Sequence, residues 1–501
     1  MNGTWLNIGC GTRHLAGFVN MDIDRPYDRK LDARKPLPYA DQTVSGVYSE
    51  HFIEHLSQSE GYAFFRECRR VLQYGGVLRI ATPDLAGMVD DYLQGHISPD
   101  WIRHGYTWTE SACERFNIGV RAWGHQWIYD ETELLRMATA AGLTPLKRQA
   151  RGESDIPEFR QLESREGSRL IMEFVNPDRR LAPDATPLVS VLIAAYKPDF
   201  FREALESALQ QSYRHIEIIV SDDSEADAIR EIVEDYREDG RITYIQNPQR
   251  LAGRENMKQC FRLAAGEFIK FLNDDDLLHP DCIARMLDCY RDWPGVTMVT
   301  SHRQRIDPHG EKLADTFGTS ALLDGTALLD GTALAGRVIA ARVNFLGEQS
   351  TVLFRKQDLE QAAPDIMSFG GYGDIRVLCD VAMWLNLMCK GHVAYISDSL
   401  SAFRIHAGQG QRASGMANLA KIAWGQLWQA GLRWGLVGRA SVSGVRTLRK
   451  NAAGWRVEPL TRINLQLRLA AAVGVLYRLG YAVLRRVYQA LKRRGLVGDI
   501  T

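Results

Sequence analysis

Three adjacent carboxylates, Asp274, Asp275 and Asp276, follow Asn273 at the end of the apolar run Gly266-Glu267-Phe268-Ile269-Lys270-Phe271-Leu272. Side by side they repel one another unless a cation or solvent relieves them, and a hard divalent ion with phosphate oxygens does this well. Taken alone, such a triplet is as readily a solvated turn. A second acidic pair, Asp222-Asp223, closes the apolar run Ile216–Val220 after Ser221, and carboxylates at a strand end suit a base or ribose. Near the N-terminus, Leu6-Asn7-Ile8-Gly9-Cys10-Gly11 ends in two glycines that let a cofactor approach the backbone closely, and Asp22, closing Phe18-Val19-Asn20-Met21, is placed to accept from ribose hydroxyls. The gap from Gly9 to Asp22 is shorter than a dinucleotide fingerprint requires, which argues against NAD. His51-Phe52-Ile53-Glu54-His55 matches H-x-x-E-H. On a helix that motif sets two histidines on one face for zinc, with Glu54 as general base.

These groups need strands that end together, and the chain is long enough to supply two such sheets. It has 501 residues, 45% of them hydrophobic, which suits two or three domains. Strand-like and helix-like periods alternate twice, predicting two α/β domains over 1–175 and 188–414. Residues 176–187 combine three prolines with charge and read as a linker. From 415 to 501 the spacing of Trp, Leu, Ala and Arg predicts a basic helical segment. Formal net charge is zero, yet most of the basic excess lies in that segment and the rest is net acidic. The eight cysteines show no regular spacing, so neither a disulfide framework nor a zinc knuckle is suggested and a cytoplasmic setting fits best. No signal peptide and no uninterrupted apolar run of membrane-spanning length is read.

The ordered series Leu6 to Gly11, Val19 to Asp22, Asp32, Leu37-Pro38-Tyr39-Ala40-Asp41, Glu54-His55-Leu56, Arg70-Val71-Leu72, Gly75-Gly76 and Pro83-Asp84-Leu85 resembles class I S-adenosylmethionine-dependent methyltransferases of Rossmann-like fold. The resemblance implies that Gly9 and Gly11 form the loop on the methionine side, that Asp22 holds the ribose and that Asp32 lies near the adenine. Methyl transfer to a hydroxyl needs a base near the acceptor oxygen, and His51, His55 and His125 are the candidates. The connection after Gly11 leaves little room for a full helix. Because H-x-x-E-H falls inside this series, metallopeptidase is the lesser reading.

The order of Leu188 to Tyr196, Ser221 to Ser224, Asn273 to Asp276, Asn344 to Arg355, Cys379 to Leu385 and Phe403 to His406 resembles family 2 glycosyltransferases of GT-A fold. The resemblance implies Mg²⁺ or Mn²⁺ bridging a nucleotide diphosphate. Asp275 is the first choice of ligand, with Asp276 and His406 as further metal candidates. The usual D-x-D begins here with Asn273, so the register is open by one residue. Ala195, Tyr196, Asp222, Asp223, Arg254 and Asp274 are assigned to the nucleotide sugar. Inverting transfer needs a carboxylate to deprotonate the incoming hydroxyl, and the resemblance gives that role to Asp380. Trp384 is read as core rather than as a platform for acceptor sugar.

The expectation is a bifunctional enzyme of cell-surface polysaccharide assembly, O-antigen or capsule-like. Its central domain transfers a sugar from a nucleotide-sugar donor to a glycan acceptor, lipid-linked if the C-terminus seeks membrane, and its N-terminal domain O-methylates a sugar. Two alternatives are a glycosyltransferase with a non-catalytic methyltransferase-like scaffold, and a glycan and membrane recognition module. Residues 461 to 494 have the basic amphipathic character of a helix lying on an anionic surface, peripheral at the inner face of the plasma membrane. No nucleic-acid module accompanies the charge.

Overall fold

A computed structural model describes residues 3–437, apart from 25, 98–100, 103–104, 317, 363, 374 and 410–414, together with the backbone of 446–451 and 454–459. The chain is mixed α/β and is built on two sheets.

The first sheet uses β1 (Trp5–Ile8), β2 (Val19–Asp22), β3 (Arg29–Lys30), β4 (Val44–Glu50), β5 (Leu72–Thr82), β6 (Thr144–Arg148) and β7 (Leu170–Val175). Their order is β3-β2-β1-β4-β5-β7-β6. β7 runs antiparallel to both neighbours and the other pairings are parallel. That reversed strand separates the sheet from the dinucleotide order 3-2-1-4-5-6. The strand order reverses between the parallel β1 and β4, so the β1 and β4 loops open at one edge, where ligands bind in open α/β sheets. All four residues of β1 are buried, as befits a strand covered on both faces. The helix Gln58–Val71 starts at Ser57, whose side chain accepts from the Glu60 amide while Glu60 accepts from the Ser57 amide. This capping box fixes the helix start where the chain leaves the His51–His55 turn.

Across the back of this sheet, Arg79 is fully buried, with Nε 2.7 Å from Glu163 and Nη1 2.6 Å from Glu173. One cation neutralises two carboxylates that have no access to water. Arg79→Ala strands both, and an expected loss of about 3–5 kcal/mol in unfolding free energy is read by urea titration.

The second sheet contains β8 (Val189–Ala195), β9 (Ile216–Asp222), β10 (Ile242–Gln246), β11 (Phe268–Phe271), β12 (Leu277–Leu278), β13 (Val296–Ile306), β14 (Lys312–Leu313), β15 (Ala327–Asp330), β16 (Val352–Arg355) and β17 (His392–Arg404), extended by β18 (Arg446–Asn451) and β19 (Gly454–Pro459). The main path is β10-β9-β8-β11-β16-β13-β17-β15-β18-β19, with β12 on β17 and β14 on β13. β8, β9, β10 and β11 are mutually parallel, and β16 turns antiparallel beside β11. The helix Cys379–Lys390 packs beneath, with Trp384 wholly buried and its indole nitrogen donating to the Gly347 carbonyl at 3.1 Å.

The C-terminal segment departs from an all-helical expectation. A helix does run from Met416 to Arg433, but 446–451 and 454–459 pair as antiparallel strands and join β15. The free edge of β15 offers unpaired backbone groups, and a strand satisfies them where a helix does not. The amphipathic stretch 461–494 lies outside the described residues. Among the described residues no helix is long and apolar enough to cross a membrane.

The two sheets share one apolar core, which runs without a break from Leu6 and Phe174 to Leu192 and Val437. The proline-containing connection is pinned rather than loose. Asn176 Nδ2 donates to the Leu72 carbonyl at 2.8 Å, the Leu181 amide to the Tyr290 carbonyl at 2.8 Å, and Arg179 pairs with Asp358.

Candidate active sites

In the second sheet, the loops after β8, β9 and β11 open on the same side, and the last residues of β17 are brought against them by β12. This meeting assembles the acidic run with residues more than a hundred positions away. Asp275 Oδ2 lies 2.9 Å from His406 Nε2, while Arg404 Nε donates to the Asp275 carbonyl at 2.9 Å and Arg404 Nη2 to Glu203 at 2.7 Å. Asp274 Oδ2 accepts from the amides of Tyr196 and Lys197 at 2.8 and 3.0 Å, tying the β11 loop to the β8 loop. Burial pushes the Asp274 carboxyl upward, with the Asp275 charge adding to the effect.

Asp276 differs from the metal role assigned to it. It is 1% exposed. Its Oδ2 accepts from Ser350 Oγ at 2.6 Å and Asn273 Nδ2 at 2.9 Å, and its Oδ1 from the Arg404 amide at 3.1 Å. With both oxygens engaged inside the protein, Asp276 anchors the turn and leaves Asp275 and His406 as the outward donors. A carboxylate and an imidazole facing each other at the end of an acidic run fit a divalent cation.

The nucleoside-side residues also sort themselves. Asp222 is wholly buried, accepting from Tyr244 Oη at 2.7 Å and the Ser224 amide at 2.8 Å. Asp223, 4% exposed, accepts from the Leu251 and Ala252 amides at 2.6 and 2.8 Å and so shapes the 247–252 loop. Ala195 is buried, and its carbonyl accepts from the Asp223 amide at 2.9 Å. Tyr196 presents an exposed ring, but the cation over it is Arg250, at 4.4 Å, rather than Arg254. Arg254 reaches the other way, to Asp365 at 2.9 Å and the Gly373 carbonyl at 2.6 Å. Both arginines belong to one stretch of sequence, Pro248-Gln249-Arg250-Leu251-Ala252-Gly253-Arg254, with the left-handed Ala252, φ 64°, between them.

Asp380 occupies the first turn of its helix, two residues after Leu378, which is in the left-handed region at φ 66°. A bulky residue is rarely held there. Asp380 Oδ2 accepts from Asn344 Nδ2 at 2.8 Å, and Oδ1 from the Val381 amide at 2.8 Å. Desolvation pushes its carboxyl up to about 6, and the Glu348 charge adds to this. Glu348 itself pairs with Arg303 at 2.6 Å. Asn344 and Glu348, both outside the assigned residues, thus condition this carboxylate. Their only sequence signal was membership of the segment Asn344 to Arg355.

At the first sheet, Gly9 and Gly11 have φ 73° and 52°. A Cβ on Gly9 would meet Phe52 side-chain atoms at 2.6 Å, whereas at Gly11 nothing lies within 4 Å. Gly9→Ala therefore pays twice, in backbone strain and in contact, and is expected to destabilise by more than about 1 kcal/mol in a thermal melt. The Gly11 amide donates to Asp22 Oδ2 at 2.8 Å, and the chain passes to β2 without a helix. Asp32 pairs with Arg34 at 2.8 Å and Lys35 at 3.8 Å. The open face at Gly11 and the strand-end carboxylate of Asp22 fit S-adenosylmethionine.

The three histidines come together only in part. His51 is left-handed at φ 49° and only Ile53–His55 forms a short 3-10 turn, so the H-x-x-E-H stretch does not place two histidines on one helix face. His55 and His125 have ring centroids 5.0 Å apart. His51 Nδ1 lies 3.3 Å from Glu54 Oε1. Burial lowers the affinity of all three imidazoles for a proton, His51 to about 3, and raises the Glu54 carboxyl to about 7.

Comparison with known proteins agrees with this division. A model described as "Methyltransferase domain" matches residues 6–80, and one described as "Glycosyl transferase family 2" matches 190–351. An uncharacterized Mycobacterium tuberculosis protein, MT1568, is 30% identical over 230 residues, which is 44% of this chain and 68% of that protein. The putative teichuronic acid biosynthesis glycosyltransferase TuaG of Bacillus subtilis is 24% identical, covering 44% of this chain and 79% of its own length. The Escherichia coli UDP-Glc:alpha-D-GlcNAc-diphosphoundecaprenol beta-1,3-glucosyltransferase WfaP is 41% identical over 91 residues, 18% of this chain and 36% of that one. The chain thus spans about two thirds or more of some relatives and about a third of others. It belongs to the family 2 glycosyltransferases through its central part and carries a methyltransferase domain ahead of it.

Proposed function

We propose that the chain is bifunctional in cell-surface polysaccharide biosynthesis, dividing near 1–175, 188–414 and 415–501 into methyl-transferring, sugar-transferring and C-terminal parts. The central part transfers a sugar from a nucleotide donor, with inversion, to a glycan acceptor. The observation that carries this reading is the outward pair Asp275 and His406 on the same sheet edge that offers Tyr196 with Arg250. Asp275 and His406 would hold a divalent ion, which when bound would supply positive charge to the leaving diphosphate. Tyr196, with Arg250 stacked on one face of its ring, borders the nucleobase. Asp380, whose affinity for a proton is raised toward neutrality, takes the proton of the acceptor hydroxyl, and Asn344 fixes its orientation. The relatives named for teichuronic acid and diphosphoundecaprenol-linked glycans support a lipid-linked acceptor, and with it a peripheral position at the membrane.

The N-terminal part O-methylates a sugar, with Gly9, Gly11, Asp22 and Asp32 holding S-adenosylmethionine, which supplies an electrophilic methyl group when bound. One of His51, His55 and His125, all kept neutral by burial, removes the hydroxyl proton. A scaffold reading of this domain draws on the glycine loop, which passes to β2 without a helix. Mass spectrometry of products from purified protein given nucleotide sugars, S-adenosylmethionine and lipid-linked acceptors tests both activities. A product gaining a sugar but no methyl, with S-adenosylmethionine bound in calorimetry, decides for the scaffold. No sugar gain with any donor sinks the transferase reading.

A further inference from the structure

Glu54, His55 and His125 have one ligating atom each within 4.8 Å of one another. They meet where the turn after β4 faces the 122–125 turn, on the opposite sheet from the acidic run. Glu54 is wholly buried. Thr82 Oγ1 donates to its Oε2 at 2.9 Å, while its Oε1 has His51 Nδ1 3.3 Å away but accepts no hydrogen bond. A buried carboxylate oxygen left this way costs free energy unless a proton or a cation meets it. His125 Nδ1 lies 2.8 Å from the Gly119 carbonyl. A carbonyl only accepts, so Nδ1 carries the hydrogen and Nε2 keeps its lone pair. Metal-binding histidines are oriented by this kind of bond on the far nitrogen.

We propose that Glu54, His55 and His125 form a binding site for a divalent transition-metal ion of the zinc type. Two imidazoles and one carboxylate are a common donor set for zinc with an open coordination position. The imidazoles favour zinc over Mg²⁺ or Ca²⁺, which take oxygen ligands. Bond lengths of about 2.0–2.2 Å require the three donors to draw together by roughly 1 Å, a movement that rotation of the half-buried His55 and His125 side chains supplies. Thr82 and Gly119 become the groups that orient the ligands. The site stands whether or not the domain transfers methyl groups. If it does, the ion withdraws His55 and His125 from the role of free base, a consequence that rests on the methyl-transfer reading.

The test uses the full chain, stripped with chelator and dialysed against Zn²⁺ in excess Mg²⁺, with metal read by elemental analysis. Wild type and Asp275→Asn are expected to retain stoichiometric zinc, and His125→Ala and Glu54→Gln to lose it. Thr82→Val is expected to weaken zinc affinity about 10- to 100-fold. Because Glu54 is in the core, Co²⁺ loading of unmutated protein gives an independent readout, with visible ligand-field bands that Zn²⁺ abolishes. Substoichiometric zinc and no Co²⁺ bands in wild type, or zinc retained by both His125→Ala and Glu54→Gln, overturns the proposal. Methyl transfer by a protein that takes up no zinc leaves the methyltransferase reading intact while removing this one. Stoichiometric zinc without methyl transfer does the reverse.

Discussion

Asp380→Asn is expected to lower sugar transfer by about 10²- to 10⁴-fold, the usual contribution of a positioned general base, while donor affinity measured by calorimetry stays unchanged. The amide keeps the size of the carboxylate and one of its two acceptors, so either the Asn344 or the Val381 hydrogen bond survives. What is lost is the ability to take a proton. The pH profile of the wild type carries the same signature. With its carboxyl pushed up to about 6, Asp380 is a competent base above that pH and protonated below it, so turnover is expected to fall as pH drops through about 6 and to level off above it. The Asn variant's residual rate is expected to lack that limb. Full turnover by the variant removes Asp380 from the mechanism.

Asp275→Ala and Asp276→Ala, neighbours in sequence, are expected to fail in different ways. Asp275 faces outward to His406, and on the proposed reading its loss would remove a ligand from the cation at the donor diphosphate. Metal-dependent donor affinity is expected to drop about a hundredfold or more, with the thermal midpoint nearly unchanged. Asp276 holds Ser350, Asn273 and the Arg404 amide inside the protein. Its removal orphans those donors and is expected to lower the melting temperature, with a cost of about 1–3 kcal/mol per unsatisfied group. Equal loss of donor binding in two well-folded variants contradicts this division of labour.

The strand-end acidic run was legible in the sequence because an apolar run into adjacent carboxylates is local information. The division within it was not. Whether Asp275 or Asp276 turns outward depends on Ser350 and Arg404, which reach the turn only through the pairing of β17 with β12 and the placement of the 349–351 turn. The same holds for Arg250 against Arg254, two cations of equal chemistry whose partners, the Tyr196 ring for one and Asp365 for the other, are set by tertiary contacts. In the N-terminal domain the glycine loop and Asp22 were readable from strand ends. The gathering of Glu54, His55 and His125 spans some seventy residues, and H-x-x-E-H misdirects because His51 leaves helical geometry. The strands beyond Arg446 were missed because short stretches such as Arg446-Thr447-Leu448-Arg449-Lys450-Asn451 carry too few apolar positions to separate one period from another. The edge of β15 decides there.

One helix makes several of the polar contacts between the two halves. From Gln58–Val71, Arg66 donates to the Trp434 carbonyl at 2.7 Å, Arg69 to the Lys390 carbonyl at 2.8 Å, and Tyr62 stacks on Trp434 at 4.6 Å. Trp434 and Lys390 stand at the C-terminal ends of two helices of the other half, where carbonyls lack partners of their own. The methyltransferase domain thus serves as the missing cap of the glycosyltransferase domain. Gly142 seals the joint, since a Cβ there would fall 1.9 Å from the Lys390 oxygen. Fusion of two domains is usually explained by what one hands to the other. Here it also makes each half part of the other's folding unit, so the intact chain is expected to melt in a single cooperative transition.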